Sequence, residues 1–225
     1  MRFAGFAKLG LIVYVMCNLL YKGTTFCTQA MNLDTFDRLF GIAEAQAGYF
    51  TTAQAKSVGV DRAQLSRYAT AGKLERVRHG VYRLKPFPHV PHEDLFIAWL
   101  AAGPDAVVSH DSALALHELS DVLPTAIHLT VPRTASRRRP GLRLHTNRIT
   151  AGEMTHYGAM RITTAPRTIV DVAADGLADE LVVQAVDQAL GRGLTSPEQL
   201  LAAAGPRGPA VLRLIRRAIE QWAPA

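Results

Sequence analysis

The sequence predicts an α+β protein. A small helical module closed by a two-stranded ribbon comes first, and a mixed α+β domain with a small sheet follows. Three observations predict it. Residues 51–84 (TTAQAKSVGVDRAQLSRYATAGKLERVRHGVYRL) carry two helix-start signatures separated by a glycine, then two arginine-bearing strand segments around His79-Gly80. Residues 106–163 carry several short β-prone segments, and residues 166–222 read as successive helices. A length of 225 residues fits one or two domains, and 48% hydrophobic with 20% charged residues is ordinary for a chain that buries a core.

The elements follow in order. Leu33, Phe36, Phe40, Ala43 and Ala47 recur at spacings of three and four, one apolar helix face, with Gly48 as its stop. Thr51 with Gln54 forms a capping box that opens a short helix ended by Gly59. Asp61 with Gln64 is the aspartate variant of that box, opening a second helix from about 62 to 71 that Gly72 ends. Two capped helices joined through a glycine match a helix-turn-helix plan. Leu74–Arg78 and Val81–Leu84, turned at His79-Gly80, complete a winged helix-turn-helix over residues 31–86. On a 3.6-residue period Leu65, Tyr68 and Ala69 face inward. Arg62, Gln64, Ser66, Arg67 and Thr70 are then outward or flanking, polar groups that can reach base edges or phosphates in a major groove. Arg76, Arg78 and Arg83 on the ribbon are expected against the phosphate backbone. The competing reading of the same pattern is a small helical subdomain with a solvated basic face.

Pro86, Pro88 and Pro91 mark a linker to the second domain, residues 87–225. Its expected elements are a helix over 92–102, a strand over 106–108, and a helix capped by Ser109 and reaching Leu119. Strands are expected at 127–131, 142–145 and 160–163. A helix opened by Pro166 runs to Ala174, and helices follow at 177–191, 197–203 and 209–222.

Charge is unevenly placed. The net charge of +6 resolves into +4 over 31–86, −6 over 87–132 and +6 over 133–148. Two positive blocks point to a polyanionic partner more strongly than the total does. The second block, RTASRRRPGLRLHTNR, suggests a basic hairpin-like loop in which Arg137, Arg138, Arg139 and Arg143 form a second phosphate or acidic-partner contact. A solvated loop is the alternative. Cys17 and Cys27 are the only cysteines, so the body of the chain can build neither a disulfide framework nor a cysteine zinc site.

The first thirty residues stand apart. Leu9–Leu20 is apolar except for Asn18 but too short to span a bilayer, which needs roughly 20 residues. The segment reads as an extension preceding a true start at Met31, as a signal-like leader, or as an unassigned helix. A DNA-binding module belongs in the cytoplasm, which favours the first reading.

Enzyme chemistry finds little support. His110 and His117 are seven residues apart, well separated along a helix, so His110, Asp111, His117 and Glu118 make a poor metal set. Ser109-His110-Asp111 are adjacent in sequence and cannot converge as a triad. There is no glycine-rich phosphate loop. The domain after residue 86 contains no lysine, which counts against a lysine-dependent nuclease. No catalytic residue, cofactor or metal is expected.

From Met31 to about Trp222 the chain resembles the AbiEi family of antitoxins. The resemblance rests on the GVYR end of the ribbon, SHDSALALH, HLTVPR and TTAPRTIVD taken together. It implies a cytoplasmic, non-enzymatic regulator of a type IV toxin–antitoxin system. Its winged domain would bind double-stranded operator DNA and repress its own operon. Its antitoxin domain would counter a nucleotidyltransferase-like toxin, with no membrane partner. Arg62, Gln64, Ser66, Arg67, Arg76, Arg78 and Arg83 would then be DNA contacts. Two features depart from the pattern: the leader, and an end just after RLIRRAIEQWAPA where similar chains continue into an endonuclease-like domain. The alternatives are a protein–protein module without a DNA role, and the front part of a regulator–endonuclease fusion.

Overall fold

The computed structural model describes residues 33–89, 91–135 and 140–222. It is a mixed α+β structure with two sheets. Two compact units divide between Ala101 and Ala102. The leader before residue 31 lies outside the described residues. No described helix is long and apolar enough to cross a membrane.

The front unit runs α1 (Leu33–Glu44), β1 (Tyr49–Thr51), α2 (Thr52–Ser57), α3 (Arg62–Thr70), β2 (Leu74–Arg78), β3 (Val81–Leu84) and α4 (Glu93–Ala102), which ends at the division. Its sheet is antiparallel in the order β1-β3-β2. The ribbon strands fall where β-propensity and the His79-Gly80 turn put them. The strand β1 carries no such signal: three residues are too few for an alternation to be read. It forms because Ala47 and Gly48 take φ of 54° and 92° and swing the chain onto β3, pairing Phe50 with Tyr82. The first helix therefore stops at Glu44, and Ala47, expected on its face, lies in the turn. Gly48 is required twice over, by its positive φ and because a Cβ there would collide with the Phe87 side chain. Leu39, Phe40, Phe50, Leu65, Leu74 and Phe87 make the core, with the Phe40 and Phe87 rings 5.3 Å apart. Phe96 of α4 packs on Tyr49 at 5.7 Å, which places this helix with the front unit, later than the linker read at 86–91.

The rear unit holds β4 (Val107–Val108), α5 (His110–Leu116), β5 (Ile127–Thr130), β6 (Leu142–His145), β7 (Met154–Tyr157), β8 (Met160–Thr163), α6 (Ala165–Ala174), α7 (Asp179–Gly191), α8 (Pro197–Ala204) and α9 (Pro209–Gln221). Its sheet order is β6-β5-β4-β8-β7. β5 and β6 run parallel, so the basic segment between them is a crossover and not the expected hairpin-like loop. The helix after Ser109 ends at Leu116 because Glu118 takes φ of 54° and the Leu119 amide folds back to the Leu114 carbonyl. The edge strand β7 carries no apolar alternation that sequence could show, and three of its four residues are exposed. Leu114, Leu119, Ile169, Val182, Val186, Leu200 and Ile215 centre the helical core.

One polar cluster ties these layers. Arg167 of α6 is 2% exposed; its Nε donates to Asp171 at 2.8 Å and its Nη1 to Glu153 at 2.7 Å and to the Arg148 carbonyl at 3.1 Å. Arg207 meets Asp171 from the other side at 2.8 Å. The APRTIVD segment is thus a buried ion network, whose members would be costly to leave unpaired.

His117 caps α5, and its ring Nε2 donates to the Thr163 carbonyl at 2.8 Å. Burial, aided by Arg192, pushes its imidazole below the ordinary value, against the pull of that hydrogen bond. A lowered folded-state pKa means the unfolded chain binds the proton more readily. The rear unit should therefore hold this stability above about pH 6.5 and lose it as pH falls. His117→Gln keeps a donor for Thr163 and removes the titration. Urea denaturation at about pH 7.5 and about pH 5 should show a smaller pH-dependent loss in this variant than in the parent; an unchanged loss would contradict the assignment.

Candidate nucleic-acid interface

Both helices of the front unit have fixed ends. At the start of α2 the Gln54 amide donates to the Thr51 hydroxyl at 3.2 Å, and the Thr51 amide donates to Gln54 Oε1 at 2.8 Å. At the start of α3 the Gln64 amide donates to Asp61 Oδ1 at 2.7 Å and the Asp61 amide to Gln64 Oε1 at 2.8 Å. Each helix ends in a Schellman motif. The Val60 amide returns to the Ala55 carbonyl and Gly59 to Lys56; the Lys73 amide returns to Tyr68 and Gly72 to Ala69. Gly59 and Gly72 take φ of 88° and 73°, which glycine accepts without steric cost. Several terminal amides and carbonyls, otherwise orphaned, thus find partners inside the module.

This framing decides what α3 shows to solvent. Leu65 and Tyr68 are buried and Ala69 is half-buried, as its period requires. Burial pushes the Tyr68 phenol up, against Arg67, so it stays neutral beneath the helix. Arg62, Ser66, Arg67 and Thr70 lie exposed on the opposite side. Asp61 at the N-cap and Arg67 in the last turn both suit the helix dipole. Gln64 is half-buried, its carbonyl oxygen committed to the cap.

The ribbon is tied to the first of these helices. The Gly80 carbonyl at its turn accepts from the Thr52 amide at 2.9 Å and from the Thr52 hydroxyl at 3.3 Å. A bulge lies between Arg76, which pairs with Tyr82, and Arg78, which pairs with Val81. Arg76 is exposed and its Nη2 lies 2.9 Å from His79 Nδ1; Arg78 is half-buried.

Arg83 corrects the expectation for the ribbon. It is 6% exposed and faces inward. Its Nη2 meets Glu75 Oε2 at 2.9 Å across the strand pair, and its Nη1 donates to the Phe87 carbonyl at 3.2 Å. That guanidinium is a strut of the fold and does not offer itself to a phosphate. The GVYR pattern marks the strand without marking which face the arginine takes.

The second basic block is only partly placed. Arg137, Arg138 and Arg139 lie outside the described residues. Arg143 is exposed on β6 and paired with Asp175 at 3.1 Å.

The residues His110, His117 and Glu118 separate. His117 turns to Thr163, and Glu118 is exposed beyond it. His110 instead meets His128 of β5 and His145 of β6, whose candidate ligand atoms all lie within 4.8 Å of one another. Ser109 stands at the N-cap of α5, yet its hydroxyl makes no cap bond; it accepts from the Thr130 hydroxyl at 2.8 Å and sits 3.0 Å from His110 Nδ1. Local spacing misses this trio because two of its members meet through strand pairing and the third comes from the start of α5. A histidine in each of IHLT and LRLH was the available signal.

The comparisons agree with the front module. Residues 37–85 match the family model described as a transcriptional regulator, AbiEi antitoxin, so this stretch is similar to that family. The crystal structure of the RV2827C protein from Mycobacterium tuberculosis aligns with 85% of this chain and 78% of its own, with a TM-score of 0.51 and 14% identity. At that identity the likeness is one of fold. No curated protein sequence matches the chain.

Arg83→Ala should destabilise the front unit by about 2 kcal/mol, because charge-assisted hydrogen bonds are worth roughly 1.5–3 kcal/mol and Glu75 keeps access to water. Arg76→Ala should change stability by no more than about 0.5 kcal/mol. Urea midpoints of the two variants check this; equal effects would undo the division between strut and exposed cation.

Proposed function

We propose that residues 31–86 form a winged helix-turn-helix that binds double-stranded operator DNA, and that the chain represses its own operon. In this reading α3 enters the major groove. Arg62, Arg67, Ser66 and Thr70, with Gln64 through the part of its side chain outside the cap, contact base edges or nearby phosphates. Arg76 and Arg78 position the module on the backbone. The observation that carries the reading is the exposed polar face of a doubly capped helix, beside a basic ribbon, in the segment that matches AbiEi-type regulators.

The rest of the proposal extends that match. The chain is a cytoplasmic, non-enzymatic antitoxin of a type IV system, and residues 87–225 counter a nucleotidyltransferase-like toxin. The block around Arg137, Arg138, Arg139 and Arg143 adds a second contact to DNA or to the toxin. Co-expression with a nucleotidyltransferase-like product encoded beside the gene, followed by rescue of growth, tests the antitoxin half separately.

Arginine–phosphate contacts predict affinity that falls steeply with salt, by about 0.9 logarithmic units per contact for each tenfold rise. A mobility-shift titration on the duplex upstream of the gene should show it. Arg67→Ala should relax base discrimination by about 1–3 kcal/mol, whereas Arg78→Ala should weaken all duplexes alike and reduce the salt slope by about 1. Salt-independent binding, or no binding, would contradict the reading.

A further inference from the structure

We propose that His110, His128 and His145 form a binding site for one divalent transition-metal ion of the zinc class, with Asp111 orienting His128. The site lies in the rear unit and does not depend on the regulator reading.

The fold brings the three side chains together from separate places. His110 opens α5, His128 is the second residue of β5, and His145 ends β6. β5 and β6 are parallel, with Thr130 opposite His145 and His128 opposite Arg143. Residues two apart on a strand share a face, so His128 and His145 project to the same side of the sheet. His110 holds a φ of 52°, a left-handed conformation that costs a non-glycine residue roughly 1–2 kcal/mol. A plain hydrophobic seam would need neither that conformation nor three imidazoles.

The nitrogen inventory points to a ligand. His128 and His110 are each 2% exposed, and His145 is half-buried. His128 Nδ1 and His145 Nε2 are buried without a hydrogen-bond partner. An unsatisfied buried polar atom costs about 1–3 kcal/mol, so two side by side need a reason. Polar groups face two of the other ring nitrogens. Asp111 Oδ2 lies 3.8 Å from His128 Nε2, too long for a hydrogen bond here but near enough to take up the carboxylate–imidazole pairing that orients a ligand once the ring is drawn onto an ion. Ser109 Oγ is 3.0 Å from His110 Nδ1, and accepting from an N–H there leaves the His110 Nε2 lone pair for an ion. Burial and the neighbouring imidazoles push His110 down to about 2, so the neutral, ligating form prevails.

The donor set selects the ion. Three neutral imidazoles with no thiolate and no convergent carboxylate suit zinc and its neighbours, and disfavour calcium or magnesium, which want oxygen. Three histidines also leave a fourth position for water. Binding entails one movement. The His110 and His145 rings are stacked, 3.5 Å between centroids and 11° between planes, so their in-plane lone pairs run side by side. Zinc–nitrogen bonds of about 2.0–2.1 Å require those lone pairs to meet. His145, the least buried of the three, must turn its ring to bring Nε2 onto the ion. The ion would then pin α5, β5 and β6 together.

The test uses the full chain without a polyhistidine tag. Cobalt(II) titration should give visible absorption bands of a four-coordinate site at one ion per chain, displaced by zinc. Zinc should raise the thermal midpoint. His128→Gln and His145→Gln should each abolish the bands while retaining the parent's circular dichroism, and Asp111→Asn should weaken zinc binding about 10–100-fold. His89→Gln with His92→Gln should leave binding intact, which separates the site from exposed histidines. Imidazole ¹⁵N spectra of the unaltered chain give an answer even if a variant fails to fold: zinc should move three histidines, His110, His128 and His145. No cobalt bands in the unaltered chain would overturn the proposal. Bands lost on His89→Gln with His92→Gln, or zinc shifts confined to other histidines, would overturn it as well.

Discussion

The front module depends on how its two short helices are closed. Six residues (α2) and nine residues (α3) are too few to hold a helix in water unaided. A capping box at one end and a Schellman turn at the other supply partners for backbone groups that propagation alone leaves open. Thr51, Gln54, Asp61 and Gln64 therefore do more than mark boundaries. They set the register in which Leu65 and Tyr68 go inward and Arg62, Ser66, Arg67 and Thr70 stay out. The Thr52 link to Gly80 then places the ribbon turn at the start of α2, so the two parts of the polar surface are built as one piece.

The rear unit uses buried polar chemistry in a different way. Its helical core is aliphatic, yet Arg167, Asp171, Glu153 and Arg207 run along one side of α6, and Ser109, Thr130 and three histidines gather where α5 meets the sheet. The first cluster is held by opposite charges, although Arg167 Nη2 makes no hydrogen bond. The second has no such charge pairing at its centre: two imidazole nitrogens without partners converge with a third ring.

Local signals made much of this legible. The ribbon strands, both capping boxes, and β6 and β8 of the rear sheet are all governed by neighbours within four residues, and sequence reading located them within a residue or so. What escaped was set at longer range. The strand β1 exists only because β3 is there to receive it. The parallel course of β5 and β6 cannot be read from either strand alone. Arg83 reads in sequence like the other ribbon arginines, Arg76 and Arg78; the pairing with Glu75 fixes its face. The histidine trio draws on three segments, so a search for ligands at helical spacing tested His110 against the wrong partner.

The central claim is that the outward side of α3 and the ribbon turn meet a duplex. Backbone chemical-shift mapping of the full chain, titrated with the duplex upstream of its gene, tests it most directly. The account predicts that the largest perturbations fall on residues 62–70 and 76–81. Perturbations confined to the rear unit, or none at duplex concentrations that produce a mobility shift, would contradict it.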